Sequence, residues 1–369
     1  MTGSDTPQSE HQREPNSYSP QNTGILVAVI ILAGALGVCL VSLLNQNNNL
    51  NLSVKSHQYV PPQWITYRQT KLIEVGVTEP LCFAAVDGNS FVTGEASPPS
   101  LIVFDYNGQT VKRFPLPQKP EAVTFCNEKF AVAFADGIGI YNADGKHEKT
   151  LQTSMPQTDI RSLVFTDDAV FAADTAARRI YKFDSAGTLV KTFGEAYAGA
   201  EKDGSTAEQG GEHFTGFTVY QSPLTMTLSP KTGLLHITNP GRHRIETFTQ
   251  DGQYEAALSW GYASGDLGGF AGCCNPVAVA SLADGRTITA EKGVSRVKIY
   301  RTNRLLDCVV AGPGELDHCP LSIPKRRRVK ANDRNFAVGV LPNESIAVFD
   351  LNWKLLRIFT PRQENKGSD

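Results

Sequence analysis

Residues 270–280 read FAGCCNPVAVA. Cys273 and Cys274 stand side by side, and a bond between adjacent cysteines closes a small ring that strains the peptide between them. With Cys319 and a histidine from His213, His243 or His318, they form a donor set suited to tetrahedral Zn²⁺. The spacing is not CxxC. The same residues support two further readings. One is a structural disulfide from Cys319 to Cys273 or Cys274 in an oxidising compartment. The other is thiols that pack as small apolar groups.

A second set is made of oxygen donors. Counting back nine residues from four aromatics, Phe104, Phe183, Phe248 and Tyr300, gives Glu95, Asp174, Asn239 and Glu291. Counting back four from the last three gives Arg179, Arg244 and Arg296. An acid or amide before an arginine, repeated along a chain, reads as a structural bond in which the carboxylate caps a loop and pairs with the cation. The alternative is a ring of oxygen ligands for Ca²⁺ or a similar hard cation. That ring would suit a metal-dependent lyase or a lactone or ester hydrolase, although no positioned base follows from the spacing. No Ser-His-Asp spacing, phosphate loop or CxxCH is present, which removes several enzyme classes.

A third set is basic. KRRRVKAN, 325–332, includes Arg326 and Arg328. It reads either as a solvated loop or as a cationic wall that attracts an anionic ligand. By comparison with the segment after Pro276, it falls in the slot of an inner strand.

These residues need elements to position them. Short apolar runs recur, each ending in Phe or Tyr, followed by a tight turn and a second run. LIVFDYNGQTVKRF (101–114), GIYNADGKHEKTL (139–151), IYKFDSAGTLVKTFG (180–194), IETFTQDGQYEAALSWG (245–261), VKIYRTNRLLDCVVAG (297–312) and IAVFDLNWKLLRIF (346–359) are the copies. The Asp-Gly turns supply positive φ for hairpins. Two more short strands precede each hairpin. Repeated four-stranded units of this length predict an all-β, six-bladed β-propeller over residues 63–361. WITYRQTKLIEVGV, 64–77, has no hairpin of its own and is expected to supply the outer strand of the blade that closes the ring.

FAADTAARRIYKFDSAGTLVKTFG (171–194) resembles an NHL repeat, with HITNPGRHRIETFTQDGQY (236–254) and TITAEKGVSRVKIY (287–300) as variants. The GCCNP stretch with its flanks is similar to membrane-anchored bacterial NHL proteins without a defined activity. The resemblance implies a propeller and no single function. On such a fold, inter-blade connections and second-to-third-strand loops share one face, usually the binding face. That face is expected to carry His213, Arg242, His243, Arg296, His318, Arg326 and Arg328.

The first residues differ from the rest. Residues 1–23 are polar and expected to be disordered. Residues 24–44, GILVAVIILAGALGVCLVSLL, contain no charge, and about 20 apolar residues span a bilayer core. They predict a single transmembrane anchor, with 45–62 as a polar linker and 362–369 as a C-terminal tail. The propeller is then expected on the extracytoplasmic side. Net charge is −2 and charged residues are 20% of the chain, which argues against a nucleic-acid partner. The partners expected are the membrane and a protein or small anionic ligand on the loop-rich face.

Overall fold

The computed structural model describes residues 59–152, 158–196, 213–318, 320 and 333–362. Residues 24–44, Cys319, Arg326 and Arg328 lie outside them, and so do the terminal tails and most of the linker. No helix among the described residues is long and apolar enough to cross a membrane.

The strands form six antiparallel sheets, one per blade. The first blade shows why. Its inner strand β2 (Pro80–Ala85) lines the central channel and is half-buried. Next come β3 (Ser90–Glu95) and β4 (Ser100–Asp105), which are buried almost throughout because a neighbouring blade covers each sheet face. The outer strand β5 (Thr110–Pro115) meets water, with Phe114 alone buried. Strands buried on both faces read as continuous apolar runs, and half-buried ones alternate. The second blade repeats this with β6 (Ala122–Cys126), β7 (Lys129–Phe134), β8 (Gly137–Asn142) and β9 (His147–Leu151). The third uses β10 (Ile160–Phe165), β11 (Ala169–Asp174), β12 (Arg179–Asp184) and β13 (Leu189–Phe193).

The fourth blade has three regular strands, β14 (Met226–Leu228), β15 (Leu235–Asn239) and β16 (Arg244–Phe248). Its outer position is held by isolated pairs, Phe248 with Tyr254 and Ile245 with Trp260. The fifth contains β17 (Ala278–Ser281), β18 (Thr287–Glu291), β19 (Arg296–Tyr300) and β20 (Leu306–Ala311). The sixth is β21 (Phe336–Val340), β22 (Ile346–Asp350) and β23 (Leu355–Pro361), completed by β1 (Tyr67–Glu74). Tyr67 pairs with Pro361 and Glu74 with Leu355, which closes the ring.

The sixth blade corrects the sequence reading. IAVFD and KLLRIF were expected as third and fourth strands, but they are second and third. The shift follows from the ring closure, since β1 takes the outer position. The inner slot expected for KRRRVKAN belongs to FAVGV, 336–340.

Each junction between neighbouring blades holds its own apolar cluster. Phe91, Phe104 and Phe349 meet between blades six and one. Tyr181 and Phe183 pack on blade two. Gly145 and Gly252 adopt φ of +80° and +76° in their hairpin turns. A Cβ on either would strike the aromatic at the outer strand of the preceding blade, Phe114 or Phe193. These turns need glycine for both conformation and space.

His236 on β15 is pulled down to about 4 by burial. The folded chain keeps this ring neutral, while the unfolded chain binds a proton below its ordinary value of 6.5. The unfolded state therefore holds more protons between these values, and stability falls as pH drops through that window. Thermal melts at pH 7 and pH 4.5 should show a smaller acid loss for His236→Gln than for the parent. An equal loss in both would assign the acid sensitivity to other groups.

Candidate functional site at the channel mouth

The oxygen donors picked out by spacing occupy equivalent positions, each closing the second strand of its blade. Their register partners are Ser100 for Glu95, Arg179 for Asp174, Arg244 for Asn239 and Arg296 for Glu291. Each also reaches the connection that enters its blade. Glu95 Oε1 accepts from the Thr78 N–H at 2.5 Å. Asp174 Oδ1 accepts from Asp159 at 3.3 Å and Ala177 at 3.0 Å. Asn239 Oδ1 accepts from Thr218 at 2.8 Å, and Glu291 Oε2 from Ala271 at 2.8 Å. The repeated bond is a loop cap. Burial works against the Glu95 carboxylate, but the Thr78 N–H and Arg113 outweigh it and hold its carboxyl below the usual range.

The arginine half of the pattern holds in one blade. Arg296 Nη2 meets Glu291 Oε2 at 2.8 Å. Arg179 pairs instead with Glu195, and Arg244 with Glu246. Arg296 was expected on the ligand face but is fully buried. Its place in a strand covered on both faces leaves it no route to solvent. Lys298, two residues on, is also fully buried and meets Glu291 Oε1 at 2.7 Å. Burial pulls Lys298 down to about 8 even beside that carboxylate. The three charges organise a loop. Arg296 donates to the Gly265 carbonyl, Lys298 to those of Leu267 and Gly269, and Tyr300 to that of Gly268. Carbonyls of this partly buried loop thereby gain donors, and the chain is led to GCCNP.

The residues do not fit a hard-cation ring. The oxygens of Glu95, Asp174, Asn239 and Glu291 are committed to backbone N–H groups and side-chain partners. Glu291 in addition sits between two cations, which would repel a third. The thiolate zinc set includes Cys319, which lies outside the described residues; among those described, no three of His, Cys, Asp and Glu come together as metal ligands. His243 lies close to the cysteine loop but bonds the Gly272 carbonyl at 2.7 Å. Arg242 is tied to Thr218 and to the Thr215 carbonyl. His213 and His318 are exposed.

The inner strands enclose a channel of about 600 Å³, lined in part by Phe83, Thr124, Ser162 and Val338. Glu121 lines it too, and burial raises its carboxyl above the usual range. At one end lies a mouth cavity of about 550 Å³. Gln221, Ser222, Lys292, Asp333, Arg334, Asn335 and Asn352 line it. Blades four, five and six supply these groups from inter-blade connections and second-to-third-strand turns.

Arg334 and Lys292 were not singled out by spacing. Arg334 is buried against Asp350 and Asp317, with its guanidinium 3.8 Å from the Trp353 ring centroid. Asp350 closes IAVFD as Asp174 closes AVFAAD, so the strand-end acid was the signal. Lys292 follows Glu291 directly. It is 7% exposed. Among the described residues its ammonium has one hydrogen-bond partner, the Gln221 carbonyl at 3.4 Å. No carboxylate among the described residues forms an ion pair with it.

Comparison with solved structures finds likeness of fold. The chain is similar to virginiamycin B lyase from Staphylococcus aureus, at 11% identity and a TM-score of 0.51, over 80% of this chain and 99% of that one. It is similar to a streptogramin B lyase at 12% identity and a TM-score of 0.51, over 81% and 99%. A Bacteroides thetaiotaomicron protein of unknown function matches at 11% identity and a TM-score of 0.54, over 77% and 70%. The likeness is one of fold alone. No family model matches the sequence, and no curated protein matches it.

Proposed function

We propose that this chain is a membrane-anchored propeller of NHL type that binds a small anionic ligand at its channel mouth. Residues 24–44 support the anchor through their length and lack of charge. The strand-end acids and the arginines that follow them support the NHL reading. The extracytoplasmic side is the natural destination of a large domain after an N-terminal anchor. The lyase or hydrolase alternative rested on a metal ring, and its oxygens are used as caps.

One observation carries the ligand class. Lys292 is a buried cation on the wall of an open cavity and, among the described residues, makes a single long bond, to a neutral carbonyl. A buried ammonium without a counter-charge is costly. A carboxylate or phosphate in the cavity would supply that charge, while Gln221, Ser222, Asn335 and Asn352 would bond its remaining polar atoms.

The test is thermal-shift titration of the full chain, recovered from membranes in mild detergent, with inorganic phosphate and simple mono-, di- and tricarboxylates. At least one anion should give a saturable rise in Tm. Lys292→Gln should weaken it by about 10- to 100-fold, the size of a charge-assisted hydrogen bond of ~1.5–3 kcal/mol. Equal affinity in the variant, or no response to any anion, rejects the ligand. Recovery of the chain from the soluble fraction rejects the anchor.

A further inference from the structure

The cysteine pair is built more tightly than its sequence suggests. The Sγ atoms of Cys273 and Cys274 lie 2.9 Å apart. No other group among the described residues bonds either sulfur. Cys273 is exposed, and Cys274 is 1% exposed. The surrounding backbone is held at several points. Asn275, fully buried, donates through Nδ2 to the carbonyls of Ala271 at 2.5 Å and Lys292 at 2.9 Å. Its Oδ1 accepts from the Lys292 N–H at 2.9 Å. Ser222 Oγ donates to the Cys274 carbonyl at 2.7 Å. His243 bonds the Gly272 carbonyl. Cys274 itself has φ +64°, a conformation that a non-glycine residue keeps only when its surroundings impose it.

Adjacent thiols in a loose loop seldom meet, because ordering them costs entropy and closing the ring strains the chain. Here the fold has already fixed the loop with both sulfurs in contact. Much of the ordering needed for ring closure is complete before any reaction.

We propose that Cys273 and Cys274 form a two-electron dithiol–disulfide couple, closing onto themselves and oxidised by a small-molecule disulfide. The exposed Cys273 thiolate attacks one sulfur of the reagent disulfide. A mixed disulfide forms and one reagent thiolate leaves. Cys274 gives up its proton and its sulfur attacks Cys273 Sγ, which breaks the mixed disulfide and expels the second reagent thiolate. Both leaving groups take up the protons that the cysteines lost. The two cysteines are oxidised and one reagent disulfide is reduced to two thiols. The buried position of Cys274 sets this order. Cys274 beside it pushes the Cys273 thiol up, while the Lys292 ammonium pulls the other way. The reaction should therefore quicken as pH rises toward the thiol range. The couple stands independently of the anion at the mouth.

The test uses the reduced full chain, freed of reductant and treated with oxidised glutathione. Alkylation and non-reducing peptide mapping follow. The peptide carrying both cysteines should be two hydrogens lighter than its dithiol, unalkylated and without a glutathione adduct. Cys274→Ser should hold glutathione stably on Cys273, and Cys273→Ser should take up none at Cys274. Three results overturn the proposal: a pair that stays alkylatable, a stable adduct on Cys273 of the parent, or a disulfide from either cysteine to Cys319. If the variants fail to fold, the parent map decides alone.

Discussion

Glu291→Ala should lower the urea midpoint far more than Asp174→Ala, with about 3–5 kcal/mol lost. Glu291 is fully buried and is the only carboxylate paired with Arg296 and Lys298 among the described residues. Both cations are fully buried too. Truncation leaves two charges in an apolar wall with only carbonyl partners. Lys298 is already shifted down with Glu291 present, so the variant should shed that proton. The loop N–H of Ala271 also loses its acceptor. Asp174→Ala removes a cap without stranding a cation and should cost ~1–3 kcal/mol. Adding Lys298→Met to Glu291→Ala should restore part of the loss by replacing one stranded charge with a packed apolar chain. Equal, small losses for Glu291→Ala and Asp174→Ala would show that the triad adds nothing beyond the cap.

The other large effect concerns ring closure. A chain beginning at residue 76 lacks β1, and it should lose the single cooperative thermal transition and become prone to aggregation. The deleted segment buries Tyr67, Ile73 and Val75. It also supplies every hydrogen-bond partner on the outer edge of β23. Without it, Leu355 to Phe359 would present an apolar free edge, the feature that invites pairing with another chain. A chain beginning at residue 59 should melt in one transition, followed by circular dichroism. A sharp and unchanged melt for the shorter chain would mean that the sixth blade holds without its outer strand.

The propeller was legible because its strands carry their radial position in their composition. Buried middle strands are runs such as AVFAAD and TITAE, while outer strands such as TVKRFP mix charged and apolar residues and are exposed. The ring-closing role of 64–77 followed from a segment with strand character and no hairpin. The sixth blade was misread because IAVFDLNWKLLRIF looks like every other hairpin. Only the pairing of distant segments shows it to be one strand further in. Arg296 was misplaced for a related reason. Arginine next to a loop usually faces water, but here both faces of the strand are covered and the charge is balanced inside. The Glu291–Arg296 register was readable, and Lys298 two residues on shares its face by strand alternation. Lys292 gave no signal, since its importance lies in what does not surround it. The contact of Cys273 with Cys274 depends on the positive φ of Cys274 and the grip of Asn275, neither of which spacing encodes.

The pairing of β1 with β23 also has a meaning for biosynthesis. Arg362 donates to the Tyr67 carbonyl across 295 residues of chain. A ribosome makes β1 before any complete blade and β23 last among the strands. Until then the earliest strand has no partner, and blades one to five can assemble only as an open arc. A ribosome that stalls before Leu355 therefore leaves β1 unpaired. Such an arc exposes its two end blades together, which gives chaperones and proteases a clear mark of an unfinished molecule.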